Sequence, residues 1–216
     1  MSKHLLRIIV DITKRLKDMY ELRKYNDFTI AEYFRKQGAM VGENCRIMVR
    51  DLGQDPYLVK IGNHCSISSG VAFVNHDGGG WIFTDEDPSL QRFGKIEIED
   101  NCYIGNDCII LPNVTIKQNS IVGARSVVTK DVPPNTVVVG NPAKVIETIE
   151  EYKEKVFGIW KKQKPNGYLS RLKHSVIYEP RYIHEEKVKE ENRKMLREHL
   201  KRVLWCSNEW DGVESK

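Results

Sequence analysis

From Ile98 to Pro133 the aliphatic positions fall on a strict period of six: Ile98, Ile104, Ile110, Ile116, Val122 and Val128. Four places after each comes a small or compact residue, namely Cys102, Cys108, Val114, Ser120, Ser126 and Val132. Ile and Val make up roughly a fifth of the chain, so six in register by chance is on the order of 1 in 10^4 or rarer. Neither the helix period of 3.6 nor the strand period of 2 yields a strict six. A parallel β-helix with three short faces per turn does, because each hexapeptide supplies one face and its corner. The aliphatic leader points inward, the small residue fits near the corner, and Gly, Asn and Asp between them carry the bend.

The pattern begins earlier, at Val41-Gly42-Glu43-Asn44-Cys45, and resumes at Ile61-Gly62-Asn63-His64-Cys65, with Ile67 and Phe73 continuing it. The phase of 61, 67 and 73 differs from that of 98 to 128, so an insertion lies between them. We place it at 77–95, where Asp77-Gly78-Gly79-Gly80-Trp81 and the acidic run Asp85-Glu86-Asp87 read as an excursion from the coil. Long loops leaving a rigid scaffold carry function disproportionately often. Asp51 to Tyr57, with Pro56, reads as a shorter bulge. The coil closes through Val137, Val138 and Val139 and ends at Gly140-Asn141-Pro142-Ala143-Lys144.

Three regions result: an N-terminal helical cap over 1–39, the β-helix over 40–145, and a C-terminal helical extension over 146–216. Leu5, Ile9, Ile12, Leu16 and Met19 sit at helical spacing with Lys and Arg opposite. This predicts an amphipathic helix packed as a cap on the first coil; its basic face leaves open a contact with a membrane surface. Glu185 to Leu204 reads as a charged helix after a Pro-punctuated connector between Pro165 and Pro180.

Composition narrows the class. The net charge of +4 arises from Lys144 onward, where 17 basic side chains face 13 acidic ones. So mixed a surplus reads as a solvated helical face, and no nucleic-acid partner is expected. No apolar run reaches membrane length and no signal peptide is evident. Four of the five cysteines (45, 65, 102 and 108) hold the small inner position of a hexad, which makes them packing residues. A reducing, cytoplasmic setting fits them, and no CxxC pair points to zinc.

Three blocks carry a resemblance: Ile104-Gly105-Asn106; Gly123-Ala124-Arg125-Ser126-Val127-Val128-Thr129-Lys130-Asp131-Val132-Pro133; and Gly140-Asn141-Pro142-Ala143-Lys144. In that order, over about 40–147, the chain resembles the hexapeptide-repeat acyltransferases, in particular sugar O-acetyltransferases and xenobiotic acetyltransferases. The resemblance implies an all-β core that is a left-handed parallel β-helix, an exception to the right-handed crossover rule. It also implies a homotrimer, with acetyl-CoA as co-substrate in the groove between subunits, no metal, and a small-molecule or saccharide acceptor.

His76, at the end of the Phe73 hexad, matches the family's catalytic histidine ahead of an extended loop. An imidazole with a pKa of about 6.5 is suited to take a hydroxyl proton as the new bond forms, a step worth roughly 10^2–10^4-fold. Asn75 and Asp77 flank it as candidate substrate residues. Asp77 either orients His76, binds an acceptor hydroxyl, or opens a turn ahead of three glycines. Trp81 either stacks on a sugar ring or pantetheine, or anchors the loop by burial. Asn106 matches a polar position near the thioester and is also a hexad turn. Gly123 and Ala124 match positions that let the pantetheine approach, and corner packing alone also demands small residues. Thr129, Lys130 and Lys144 match positions near the cofactor's phosphates, where cations are suitable partners. His64 lies two faces from His76 and reads as a coil residue.

The resulting expectation is direct acetyl transfer to a sugar hydroxyl in surface or capsular polysaccharide biosynthesis. Antibiotic O-acetylation and amino-sugar N-acetylation are the alternatives. A zinc carbonic anhydrase on this scaffold needs three imidazoles, and the repeats offer two. A non-enzymatic scaffold would not need His76 together with the Gly123–Lys130 block.

Overall fold

The inward-pointing leaders assemble into a three-sided coil of parallel strands. The computed structural model describes residues 12–13, 16–166 and 186–204. The first sheet holds β1 (Met40–Val41), β3 (Val59–Ile61), β8 (Ile96–Ile98) and β11 (Val114–Ile116). The second holds β2 (Arg46–Ile47), β4 (Ser66–Ile67), β9 (Tyr103–Ile104), β12 (Ile121–Val122) and β14 (Thr136–Val139), with β15 (Lys144–Thr148) antiparallel at its edge. The third holds β5 (Ala72–Phe73), β10 (Ile109–Ile110) and β13 (Val127–Val128). The chain visits the three sheets in rotation, so each turn stacks on the last in register: Ile61 on Ile98 on Ile116, and Ile67 on Ile104 on Val122.

Alternation within each short strand explains the burial. Ile61, Ile67, Ile98, Ile104, Ile110 and Ile116 point inward and are fully buried, while Lys60, Tyr103 and Ile109 face out. Each fully buried side chain of this size contributes about 1.5–3 kcal/mol relative to exposure. The corners after Ile98, Ile104, Ile110, Ile116 and Val122 need a left-handed residue three places on. Asn101, Asp107, Asn113, Asn119 and Arg125 take φ of 56° to 62° there, a conformation Asn and Asp accept more readily than most L residues. Along one corner, His64 Nδ1 lies 2.7 Å from Asn101 Oδ1, Asn101 Nδ2 donates to Asn119 Oδ1 (2.8 Å), and Asn119 Nδ2 donates to Asn135 Oδ1 (3.0 Å). The four coil cysteines are buried, and each thiol donates to a carbonyl of a neighbouring turn, as Cys65 does to Glu99 O at 3.0 Å.

Two features differ from the sequence expectation. The sixth repeat is cut short: Val132 bridges to Ile116 and so takes the leader's place on the first sheet, four residues after Val128. The first coil is capped by α1 (Ile30–Lys36), whose Ile30, Ala31, Tyr33 and Phe34 are buried. Ile12, Leu16 and Met19, expected in that role, remain about half exposed; Leu5 and Ile9 lie outside the described residues. Beyond Glu150 a second unit contains most of α2 (Ile149–Gln163) and α3 (Glu186–Leu204).

Candidate active site

Both breaks in the sixfold period fall at one corner of the coil, between the third and first sheets, one turn apart. That shared corner is why they touch. The shorter break, 51–58, ends in a 3-10 turn, Pro56–Leu58. The longer one leaves the coil after β5 as a two-stranded arm of β6 (His76–Asp77) and β7 (Arg92–Phe93), joined through a 3-10 segment, Gly78–Phe83. His76 pairs with Phe93 and Asp77 with Arg92. Gly94 N closes the stem by donating to Asn75 O (3.0 Å).

Asn75, expected to contact substrate, is instead fully buried and bonded internally. Its Nδ2 donates to Leu52 O (2.8 Å) and Asp55 O (2.9 Å), and its Oδ1 accepts from Asp55 N (3.1 Å). A buried amide must satisfy its polar atoms, and here it does so by holding the 51–58 segment against the coil. Gly53 makes this possible. It takes φ +85°, and a Cβ there would collide with the Phe73 carbonyl oxygen and the Asn75 amide.

The consequence is the placement of Asp55. Its Oδ2 lies 3.4 Å from His76 Nδ1. The contact is off-line for a hydrogen bond, and neither atom has another partner. Its Oδ1 accepts from Tyr57 Oη (3.0 Å), a bond that pushes the Tyr57 phenol pKa up. The Phe93 ring also meets the imidazole, with centroids 4.5 Å apart and planes 42° apart. His76 Nδ1 is thus sealed, while the side chain keeps 18% of its exposure and Nε2 sits on its open edge. A carboxylate opposite Nδ1 favours the proton there and leaves the Nε2 lone pair free to accept. Asp55, Tyr57 and Phe93 escaped the sequence reading. The irregular spacing over 51–57, a turn before the arm, was the available signal for the first two.

Asp77 does not face the imidazole. Its Oδ1 accepts from Gly79 N (2.9 Å) and its Oδ2 from Arg92 Nη1 (3.2 Å), so it opens the turn and ties the arm together. Trp81 is 78% exposed, so it is not buried against its own protomer. Thr129 and Lys130 are exposed at the same corner as His76, two turns on. Asn106, Gly123 and Ala124 stack at the next corner, between the second and third sheets, where Arg125 N donates to Asn106 O (2.8 Å). The width of the third sheet separates them from His76, so one protomer does not bring the two groups together. Packing by itself favours a small residue at 123, since a Cβ would press on the Val139 Cγ1 methyl at 2.5 Å. Lys144 is exposed at the start of β15. His64 belongs to the asparagine ladder. Among the described residues no group of three His, Cys, Asp or Glu side chains is arranged to hold a metal ion, and no helix is long and apolar enough to cross a membrane.

A stack of hexapeptide turns defines a class, and comparison with known proteins agrees. The family described as bacterial transferase hexapeptide (six repeats) matches residues 95–130. Protein CapG of Staphylococcus aureus is 52% identical over 125 residues, covering 56% of this chain and 73% of CapG. The chain therefore belongs to the hexapeptide-repeat acyltransferases. A chloramphenicol acetyltransferase of Agrobacterium fabrum is 36% identical over 122 residues, 48% of this chain and 57% of the relative. The crystal structure of the hexapeptide-repeat acetyltransferase VCA0836 from Vibrio cholerae superposes with a TM-score of 0.51 at 21% identity, over 63% of this chain and 89% of that one. That last likeness speaks to the fold.

Proposed function

We propose that this protein is an acetyl-CoA-dependent O-acetyltransferase acting on a saccharide hydroxyl in surface or capsular polysaccharide biosynthesis, with His76 as general base. One observation carries the reading: the imidazole has Nδ1 sealed against Asp55 and Nε2 open. Nε2 takes the hydroxyl proton as the oxygen attacks the thioester carbonyl. The carbon–sulfur bond then breaks, and the proton passes to the departing thiolate of coenzyme A. Asp55 offsets the positive charge that develops on the ring. A covalent acetyl-enzyme is not required. The four coil thiols are buried, and the neighbouring Cys102 thiol together with burial pushes the Cys65 thiol up to about 12, which keeps it protonated and unreactive.

The site is completed between copies of the chain. Outward residues Ala72, Ile109 and Val127 of the third sheet and Tyr103 and Ile121 of the second form a largely apolar surface around the corner of Asn106, Gly123 and Ala124. In a left-handed coil assembled as a trimer through this surface, the Asn106 corner of one protomer meets the His76 corner of the next. Asn106 then serves the oxyanion, Thr129, Lys130 and Lys144 serve the phosphates, and Trp81 borders the acceptor. The likeness to a chloramphenicol acetyltransferase favours a second reading, acetylation of an antibiotic hydroxyl.

Thiol release from acetyl-CoA, measured across monosaccharides, nucleotide sugars, chloramphenicol and a streptogramin, separates the two. In the same assay His76→Ala lowers turnover by about a hundredfold or more and leaves coenzyme A affinity unchanged. An H76A variant with wild-type turnover would overturn the assignment of the base.

A further inference from the structure

We propose that Phe93 is a positioning residue for His76: its ring fixes the plane of the imidazole, so the return strand of the arm sets the geometry of proton removal. The inference rests on His76 being the base and extends it. The Asp55 contact cannot by itself hold the imidazole plane. At 3.4 Å and off-line, a carboxylate oxygen attracts Nδ1 without defining the ring's rotation. Histidine χ2 is a broad torsion with no deep staggered wells, so the plane must be held by packing.

Phe93 supplies that packing. Its centroid lies 4.5 Å from the imidazole's with the planes inclined by 42°, within the range of favourable aromatic pairs. Its backbone leaves it little freedom. Phe93 is the strand partner of His76, Arg92 is ion-paired to Asp77 at 3.2 Å, and Gly94 N donates to Asn75 O at 3.0 Å. Gly94 is itself wedged against the coil, where a Cβ would press on Pro112 Cβ at 2.5 Å. Core burial does not account for an aromatic side chain here, because Phe93 is 45% exposed. What it covers is the imidazole.

The test is a double-mutant cycle read as thiol release from acetyl-CoA, with the acceptor panel above and with water as acceptor. Phe93→Ala lowers kcat by about 10- to 100-fold, the usual effect of slight misplacement, while KM for acetyl-CoA stays constant. Phe93→Tyr restores kcat to within about threefold, since the ring is kept. In the His76→Ala background Phe93→Ala has no further effect, because a residue acting through the imidazole has nothing left to act on. Wild-type kcat in F93A, an equal loss in both backgrounds, or no restoration by F93Y each overturns the positioning role. If H76A turns over like wild type, the base assignment falls and this role falls with it. If H76A is inactive while F93A is fully active, only the role of Phe93 is lost.

Discussion

Replacing Asp55 by Asn isolates the charge opposite His76 and leaves its scaffold in place. The links from Asn75 to residue 55 run through the backbone of that residue, and an amide oxygen can still accept from Tyr57 Oη. What changes is the partner of Nδ1, 3.4 Å away. Opposite charges about 4 Å apart interact by about 4 kcal/mol at an effective dielectric of ~20. The proton is only partly transferred in the transition state, so roughly half of that, about 2 kcal/mol, is expressed there. At 1.36 kcal/mol per factor of ten, kcat falls by about 30-fold. The amide nitrogen also donates toward Nδ1, which favours the tautomer protonated at Nε2 and adds to the loss. Steady-state thiol release gives kcat, calorimetry gives coenzyme A affinity, and thermal melting gives stability; only the first changes. A D55N variant within threefold of wild-type kcat, or one whose loss lies in coenzyme A affinity, refutes the role of the carboxylate.

Gly53→Ala places a Cβ on a residue at φ +85° and into the Phe73 carbonyl oxygen. It destabilises by at least about 2 kcal/mol, lowering Tm by roughly 4–8 °C, and lowers kcat as D55N does because the segment carrying Asp55 must move; an unchanged Tm contradicts the packing described. The coil thiols are inert while the chain is folded. In a C206S variant, Ellman's reagent at pH 8 titrates none of Cys45, Cys65, Cys102 and Cys108 before denaturation and all of them afterwards. Raising the Cys65 pKa to about 12 from its ordinary 9.0 also sets an alkaline limb. The unfolded chain loses this proton first, so the contribution to stability is complete below about pH 9 and is lost as pH climbs toward 12. Melting temperatures measured across that window fall more steeply in wild type than in Cys65→Ser.

Much of the coil could be read from residue spacing, because a stacked solenoid repeats one local solution. Ile104 and Asp107 serve their turn as Ile110 and Asn113 serve the next, so a leader and a left-handed corner residue suffice to define each face. The reading weakened where the repeat stops being local. Val132 looked like the small residue of a hexad, yet it leads the next face because the final turn is shorter. Leu16 and Met19 have a cap's periodicity, but Ile30 and Phe34 fill the end of the coil, and periodicity cannot say which apolar face reaches it. His76 was singled out because the resemblance places a catalytic histidine ahead of an extended loop, and His76 stands at the edge of that excursion. Asn75, its neighbour, was misread because an amide beside a histidine looks functional until its burial is known.

The period of six, taken alone, determined a three-sided coil and where it breaks, since only inward aliphatics and tight corners can satisfy it. Tertiary structure decided what surrounds the histidine. The two breaks lie one turn apart at a single corner, which brings Asp55 from one and Phe93 from the other against one imidazole. Contacts between segments 17 and 21 residues from His76 depend on how the turns stack and where the arm folds back. No local pattern in the chain encodes that distance.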